Sequence, residues 1–275
     1  MRTVRAIACA AIVLAACNSK SAPSNTTGSN ATGSNTASDA GGVPLDTLVG
    51  TPFAIAATTT QLVTAITADW NATSAELRLW KRDGVAWKPV GDPWRGVVGR
   101  AGTGWGSGLH GRAPAGREGP IKREGDGKSP AGVFDLTSAF GYAKAPPSGS
   151  KIGYQQVDTN WKCVDDPDSR EYNRVLDART TTVDWNSAEE MRRADDAYTW
   201  VVEVAHNASR TPKDGSCIFL HVWSGSESST VGCTAMEEPQ LASLIAKLVP
   251  ADRPAFVLLP RAEYDALADA WNLPR

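Results

Sequence analysis

The 275-residue chain carries 28 Lys and Arg against 30 Asp and Glu, a formal net charge of −2. A balance this close to neutral gives no hint of nucleic-acid binding, so no nucleic-acid partner is expected. The length allows one or two domains, and ten Trp suit a β-rich core and a binding groove equally.

Residues 1–16 read as a lipoprotein signal peptide. Arg2 and Arg5 form a basic start, and Ala6–Leu14 is an apolar run too short to span a bilayer. The run ends in Leu14-Ala15-Ala16-Cys17, which resembles a lipobox, the signal cleaved ahead of a Cys that is then diacylated. Cys17 is therefore the expected lipidation site, and the expected location is the cell envelope, lipid-anchored to a membrane surface. Asn18 resembles an outer-membrane sorting residue, which implies the periplasmic face of the outer membrane in a cell with two membranes. Residues 17–43 are rich in Ser, Thr, Asn and Gly and repeat Thr-Gly-Ser-Asn. Such a segment cannot bury enough surface to fold and reads as a flexible tether, with a reach of about 25–30 Å.

From Gln61 the pattern turns β-like. Gln61–Ala68 and Ala75–Lys81 are strand candidates, Asp83-Gly84 is a hairpin turn, and Val85–Val90 is the returning strand. Gly91-Asp92-Pro93 is a further turn. The glycine-dense stretch Gly99–Gly119 reads as loop, with no phosphate-binding fingerprint. Ala131–Thr137 and Tyr198–Ala205 read as strands, and Ala188–Asp195 as a short helix. Gln240–Leu248 reads as a helix, Pro254–Leu259 as a strand and Arg261–Trp271 as an amphipathic helix. The expected fold is mainly β and β-sandwich-like, over residues 60–260, with a few short helices and a C-terminal helix in 261–275 packed on it. Asp165, Asp166 and Asp168 lack calcium-loop spacing, so no metal and no cofactor is expected.

The chemistry concentrates in Gly215–Met236. Its first half alternates as a strand, with Cys217, Phe219 and His221 on one face and Ile218, Leu220 and Val222 on the other, toward a core. A polar loop then leads to Thr230-Val231-Gly232-Cys233 on a tight turn near a helix start. A helix dipole and a nearby imidazole lower a thiol pKa, which predicts a thiolate nucleophile at neutral pH.

His221 followed by Thr230-Val231-Gly232-Cys233 resembles the active-site signature of the L,D-transpeptidase (YkuD-type) family. Lys122–Phe134 resembles that family's upstream Gly-Asp-Gly segment, and the resemblance covers about Leu62–Pro260. It implies an L,D-transpeptidase catalytic domain acting on peptidoglycan stem peptides. Cys233 would be the nucleophile, His221 the base, and Gly232 and Thr230 the oxyanion turn. Lys122, Ser129 and His206 are substrate-groove candidates, with His110 a weaker one. The alternatives are a hydrolytic L,D-carboxypeptidase or amidase on the same acyl-enzyme, or an inactive wall-binding lipoprotein. Val231 and Ala235 stand where many members carry His and Arg, which leaves substrate class and acyl acceptor open. With Cys233 as nucleophile, Cys163 and Cys217 are left to pair. A Cys217–Cys233 or Cys163–Cys233 pair would instead disable the site or make it a redox switch.

Overall fold

The computed structural model describes residues 53–275, so the signal peptide, Cys17 and the tether lie outside the described residues. In chain order the elements are β1 (Gln61–Thr67), β2 (Ser74–Asp83), β3 (Ala86–Pro89), β4 (Trp94–Val97), β5 (Thr103–Trp105), β6 (Ser129–Gly141), β7 (Tyr154–Gln156) and β8 (Trp161–Val164). There follow β9 (Val175–Asp177), β10 (Ala188–Glu190), β11 (Val201–Val204), β12 (Phe219–Val222), β13 (Thr234–Met236), α1 (Glu238–Lys247), β14 (Ala255–Pro260) and α2 (Arg261–Trp271).

The chain is mainly β, but the sheet closes on itself where a two-layer sandwich was expected. β1 pairs with β14, then β6, β11, β12, β13, β4 and β2 follow, and β2 returns to β1. The two strands that complete the ring on the β13 side, β4 and β2, explain the difference. β4 lies in a short Trp-Arg-Gly-Val stretch with no alternation to reveal it, and it bridges β13 to β2. β1–β14 and β12–β13 run parallel; the other ring pairs are antiparallel. A closed ring leaves no edge within it to aggregate.

The continuous apolar runs follow from burial on both faces. In β1 and β14, Val63, Ala65, Phe256 and Leu258 fill the barrel, while Leu62, Ala255, Val257 and Leu259 face a second cluster outside it. α2 covers that outer face with Tyr264, Leu267, Ala268 and Trp271, spaced as one helical stripe. α2 stops at Asn272, whose left-handed conformation caps it. α1 packs Leu241, Leu244 and Ile245 into the barrel cluster.

A separate three-stranded sheet, β10–β8–β9, comes from the charged region 161–190. Here the sequence misleads: Ala188-Glu189-Glu190 has helix-forming residues, yet pairs as a strand with β8, tertiary pairing overriding propensity. Asp166 accepts backbone hydrogen bonds from Asp168 and Asn186, so it ties this region's turns together. A disulfide joins Cys163 on β8 to Cys217, the residue two before β12. Cys217 is not part of the strand; its φ of 56° places it in the left-handed region.

Candidate functional site

β12 and β13 run parallel, with Leu220 beside Thr234 and His221 beside Ala235. That register sets Phe219 beside Cys233, and the Phe219 amide donates to the Cys233 Sγ at 3.4 Å. Side chains alternate along both strands, so Phe219, His221, Cys233 and Ala235 all point out of the barrel while Leu220 points in. Cys233 and His221 line one cavity of about 220 Å³, together with Glu189, Tyr198 and Thr230. Cys233 is the free cysteine among the described residues and is 5 % exposed.

The turn before β13 is built around the Cys233 carbonyl. Thr230 Oγ1 donates to that oxygen at 2.6 Å and accepts from the Gly232 amide at 3.2 Å. Ser129 Oγ donates to the same oxygen at 2.8 Å and accepts from the Gly99 amide. A Cβ at Gly232 would stand 3.3 Å from Ile218 Cδ1 and 3.4 Å from the Lys128 carbonyl, so the turn packs tightly there.

None of the three groove candidates lines the cavity. Ser129 is fully buried and supports the turn from behind. Lys122 is buried, pairs with Asp126 at 2.7 Å and donates to the Arg123 carbonyl. His206 is buried with both ring nitrogens committed: Nδ1 accepts from the Ser107 amide, and Nε2 donates to the Asp214 carbonyl. A Cβ at Gly106 would meet that ring at 3.0 Å, so one glycine of the Gly-rich stretch admits an imidazole, not a ligand. His110 packs among Phe53, Trp105 and Trp271, with Nδ1 accepting from the Val133 amide. A more open polar cleft of about 790 Å³, lined in part by Arg170, Arg174 and Arg210, holds neither Cys233 nor His221.

The electrostatics reverse the sequence expectation. β13 separates Cys233 from α1, so no helix N-terminus abuts the thiol. Burial pushes the thiol pKa up to about 12, with Glu189 adding to the rise. Burial also pushes His221 down to about 4, against the Val222 carbonyl that favours its charged form. Burial thus favours a thiol and a neutral imidazole at rest over a preformed thiolate–imidazolium pair. His221 Nδ1 lies 2.8 Å from the Val222 carbonyl, an acceptor only, so Nδ1 carries the proton. Nε2 then bears the lone pair.

No family model, curated protein or solved structure matches this chain.

Three cavity residues were not singled out from the sequence. The Tyr198 hydroxyl donates to Glu189 Oε1 at 2.5 Å, and its ring packs edge-on against His221 at 5.4 Å. Glu189, on β10, sits directly across from Cys163 in the β8 pairing, so the disulfide fixes its position relative to β12. Arg193 spends its fork on Asp195, at 2.8 and 2.7 Å. No local sequence pattern marks these residues: Glu189 reaches the cavity through the pairing of β10 with β8, and Tyr198 lies just ahead of β11, which pairs with β12. Among the described residues no group of three or more His, Cys, Asp or Glu side chains could hold a metal ion. The arrangement places one free thiol and one imidazole in a single walled recess.

Proposed function

We propose that this protein is a peptidoglycan L,D-transpeptidase working through a Cys233 acyl-enzyme. The observation that carries the reading is the shared cavity: a free thiol and an imidazole with an available Nε2 lie on one outer face of parallel neighbouring strands. The disulfide between Cys163 and Cys217 supports it by leaving that thiol unpaired. The recess is smaller than a typical drug-sized site, which suits the tip of a peptide and not a whole stem.

In this reading a stem tetrapeptide enters with its terminal D-Ala amide over Cys233. His221 Nε2 takes the thiol proton as Sγ attacks the carbonyl, so the thiolate exists only during attack. The Cys233 amide donates to the oxyanion, a contribution of about 3–4 kcal/mol. The proton passes to the leaving nitrogen, D-Ala departs, and a thioester remains. An amine of a second stem resolves it. Thr230 and Ser129 hold the Cys233 carbonyl and so aim the nucleophile. Cys17 and the tether would place the domain at the cell envelope, within reach of the wall.

Incubation with a stem tetrapeptide tests this. The expected result is stoichiometric D-Ala release, a thioester on Cys233, and cross-linked dimers by mass spectrometry. Trimmed monomers alone point to the hydrolytic carboxypeptidase. One observation favours the second reading, an inactive wall-binding lipoprotein: the thiol is deeply buried and held protonated. Retention on peptidoglycan without D-Ala release supports that reading and contradicts ours.

A further inference from the structure

Resting on that reading, we propose that Glu189 is the anchor for the acyl acceptor, binding the ammonium group of the incoming amine beside the Cys233 thioester. Glu189 lines the same cavity as Cys233 and His221. The charges on that wall do not cancel. Arg193 is the cation among the lining residues, and both arms of its fork are bound to Asp195. Arg193 Nη1 also makes a longer ion pair with Glu189 at 3.8 Å, so one guanidinium faces two carboxylates. Glu189 Oε1 accepts from Tyr198, and that single bond leaves capacity on the carboxylate for a donor from the cavity. An ammonium group with three donors fits that deficit; a neutral hydroxyl or water satisfies it less fully.

Placement is rigid. Glu189 is held by the β10–β8 pairing, and the Cys163–Cys217 bridge ties that pairing to the approach to β12. Tyr198 fixes the carboxylate from one side while its ring rests on His221. Acceptor anchor and base therefore share one support.

The second half-reaction balances on these groups. The ammonium gives one proton to the Glu189 carboxylate, and burial, which raises the pKa of this group, assists that step. The freed amine forms a C–N bond to the thioester carbon as the C–Sγ bond breaks. A second proton passes from nitrogen through His221 Nε2 to Sγ, restoring the thiol. Glu189 then releases its proton to solvent.

The test compares wild type, Glu189→Gln and Glu189→Asp, with a stem tetrapeptide as donor and a free diamino acid as acceptor. D-Ala release reports acylation, and the ratio of amide to acid product reports acceptor use. The expected result is that both variants still release D-Ala in a single turnover, so the first half-reaction survives. The amide-to-acid ratio should fall at least tenfold in Glu189→Gln, with Glu189→Asp between the two. An unchanged ratio in Glu189→Gln overturns the inference. Loss of D-Ala release in Glu189→Gln also overturns it, since the residue would then serve the first half-reaction or the fold. Absence of D-Ala release from wild type is a separate failure, that of the transpeptidase reading itself.

Discussion

At the scale of single residues, the site is a problem of proton placement. Cys233 is pushed up to about 12 and His221 down to about 4, both chiefly by burial, so neither group is charged at rest. In the proposed reaction neutral His221 accepts a proton during attack, and the Val222 carbonyl fixes the tautomer that can do so. His221→Ala should lower kcat/KM by about 10²–10⁴-fold. Its thermal midpoint should stay close to wild type, because His221 makes one local bond to its neighbour's carbonyl. In wild type the acid limb of kcat/KM should fall near pH 4, where His221 gains its proton, and not near the ordinary 6.5 of histidine. An acid limb near 6.5, or a wild-type rate in His221→Ala, would mean that another group is the base. That Cys233, His221 and Thr230 lie around one recess was legible because they sit in one local stretch. The direction of the thiol shift was not, because β13 and the burial around Sγ are tertiary facts.

At the scale of elements, the decisive join is between the small sheet and the barrel. Cys163 and Cys217 close a loop of 54 residues' separation, and through it β10 carries Glu189 to the cavity. Loop-closure arithmetic gives about 4 kcal/mol for such a bridge. Cys163→Ser should therefore cost a few kcal/mol in urea unfolding, and should lower the amide-to-acid product ratio further than stability alone explains. A non-reduced digest of the wild type should yield one peptide pair linked through Cys163 and Cys217. A linked pair containing Cys233 would contradict the arrangement. α2 was readable to the residue, since its apolar stripe and following turn are local signals. β1, β2 and β14 were nearly so. β10 was not: its three residues favour helix, and only pairing with Lys162, Cys163 and Val164 makes them a strand. The same blind spot hid Glu189.

At the scale of the whole molecule, closure of the barrel and burial of its histidines set the response to pH. Closure escaped the sequence because β4, which bridges β13 to β2, lies in a stretch dense in glycine and turn residues, with no alternation to announce it. All three histidines are lowered by burial: His110 and His221 to about 4, His206 to about 3. Unfolded, each titrates near 6.5. Between about pH 6.5 and 4 the unfolded chain binds protons that the native protein refuses, so stability falls as pH drops through that window. Cys233 acts at the other end. The unfolded thiol loses its proton near 9 while the native thiol keeps it until about 12, so stability also falls as pH rises above 9. Urea midpoints should peak between about pH 6.5 and 9, with proton uptake on unfolding approaching three near pH 5. A flat midpoint from pH 7 to 4.5 would contradict the burial of these rings.

The central claim is that Cys233, served by His221, is an acylating nucleophile. Intact-mass measurement after incubation with a carbapenem tests it most directly. The account predicts one covalent adduct per wild-type chain, slower formation in His221→Ala, and none in Cys233→Ala. A wild-type mass that does not change, or an adduct that persists in Cys233→Ala, would contradict it.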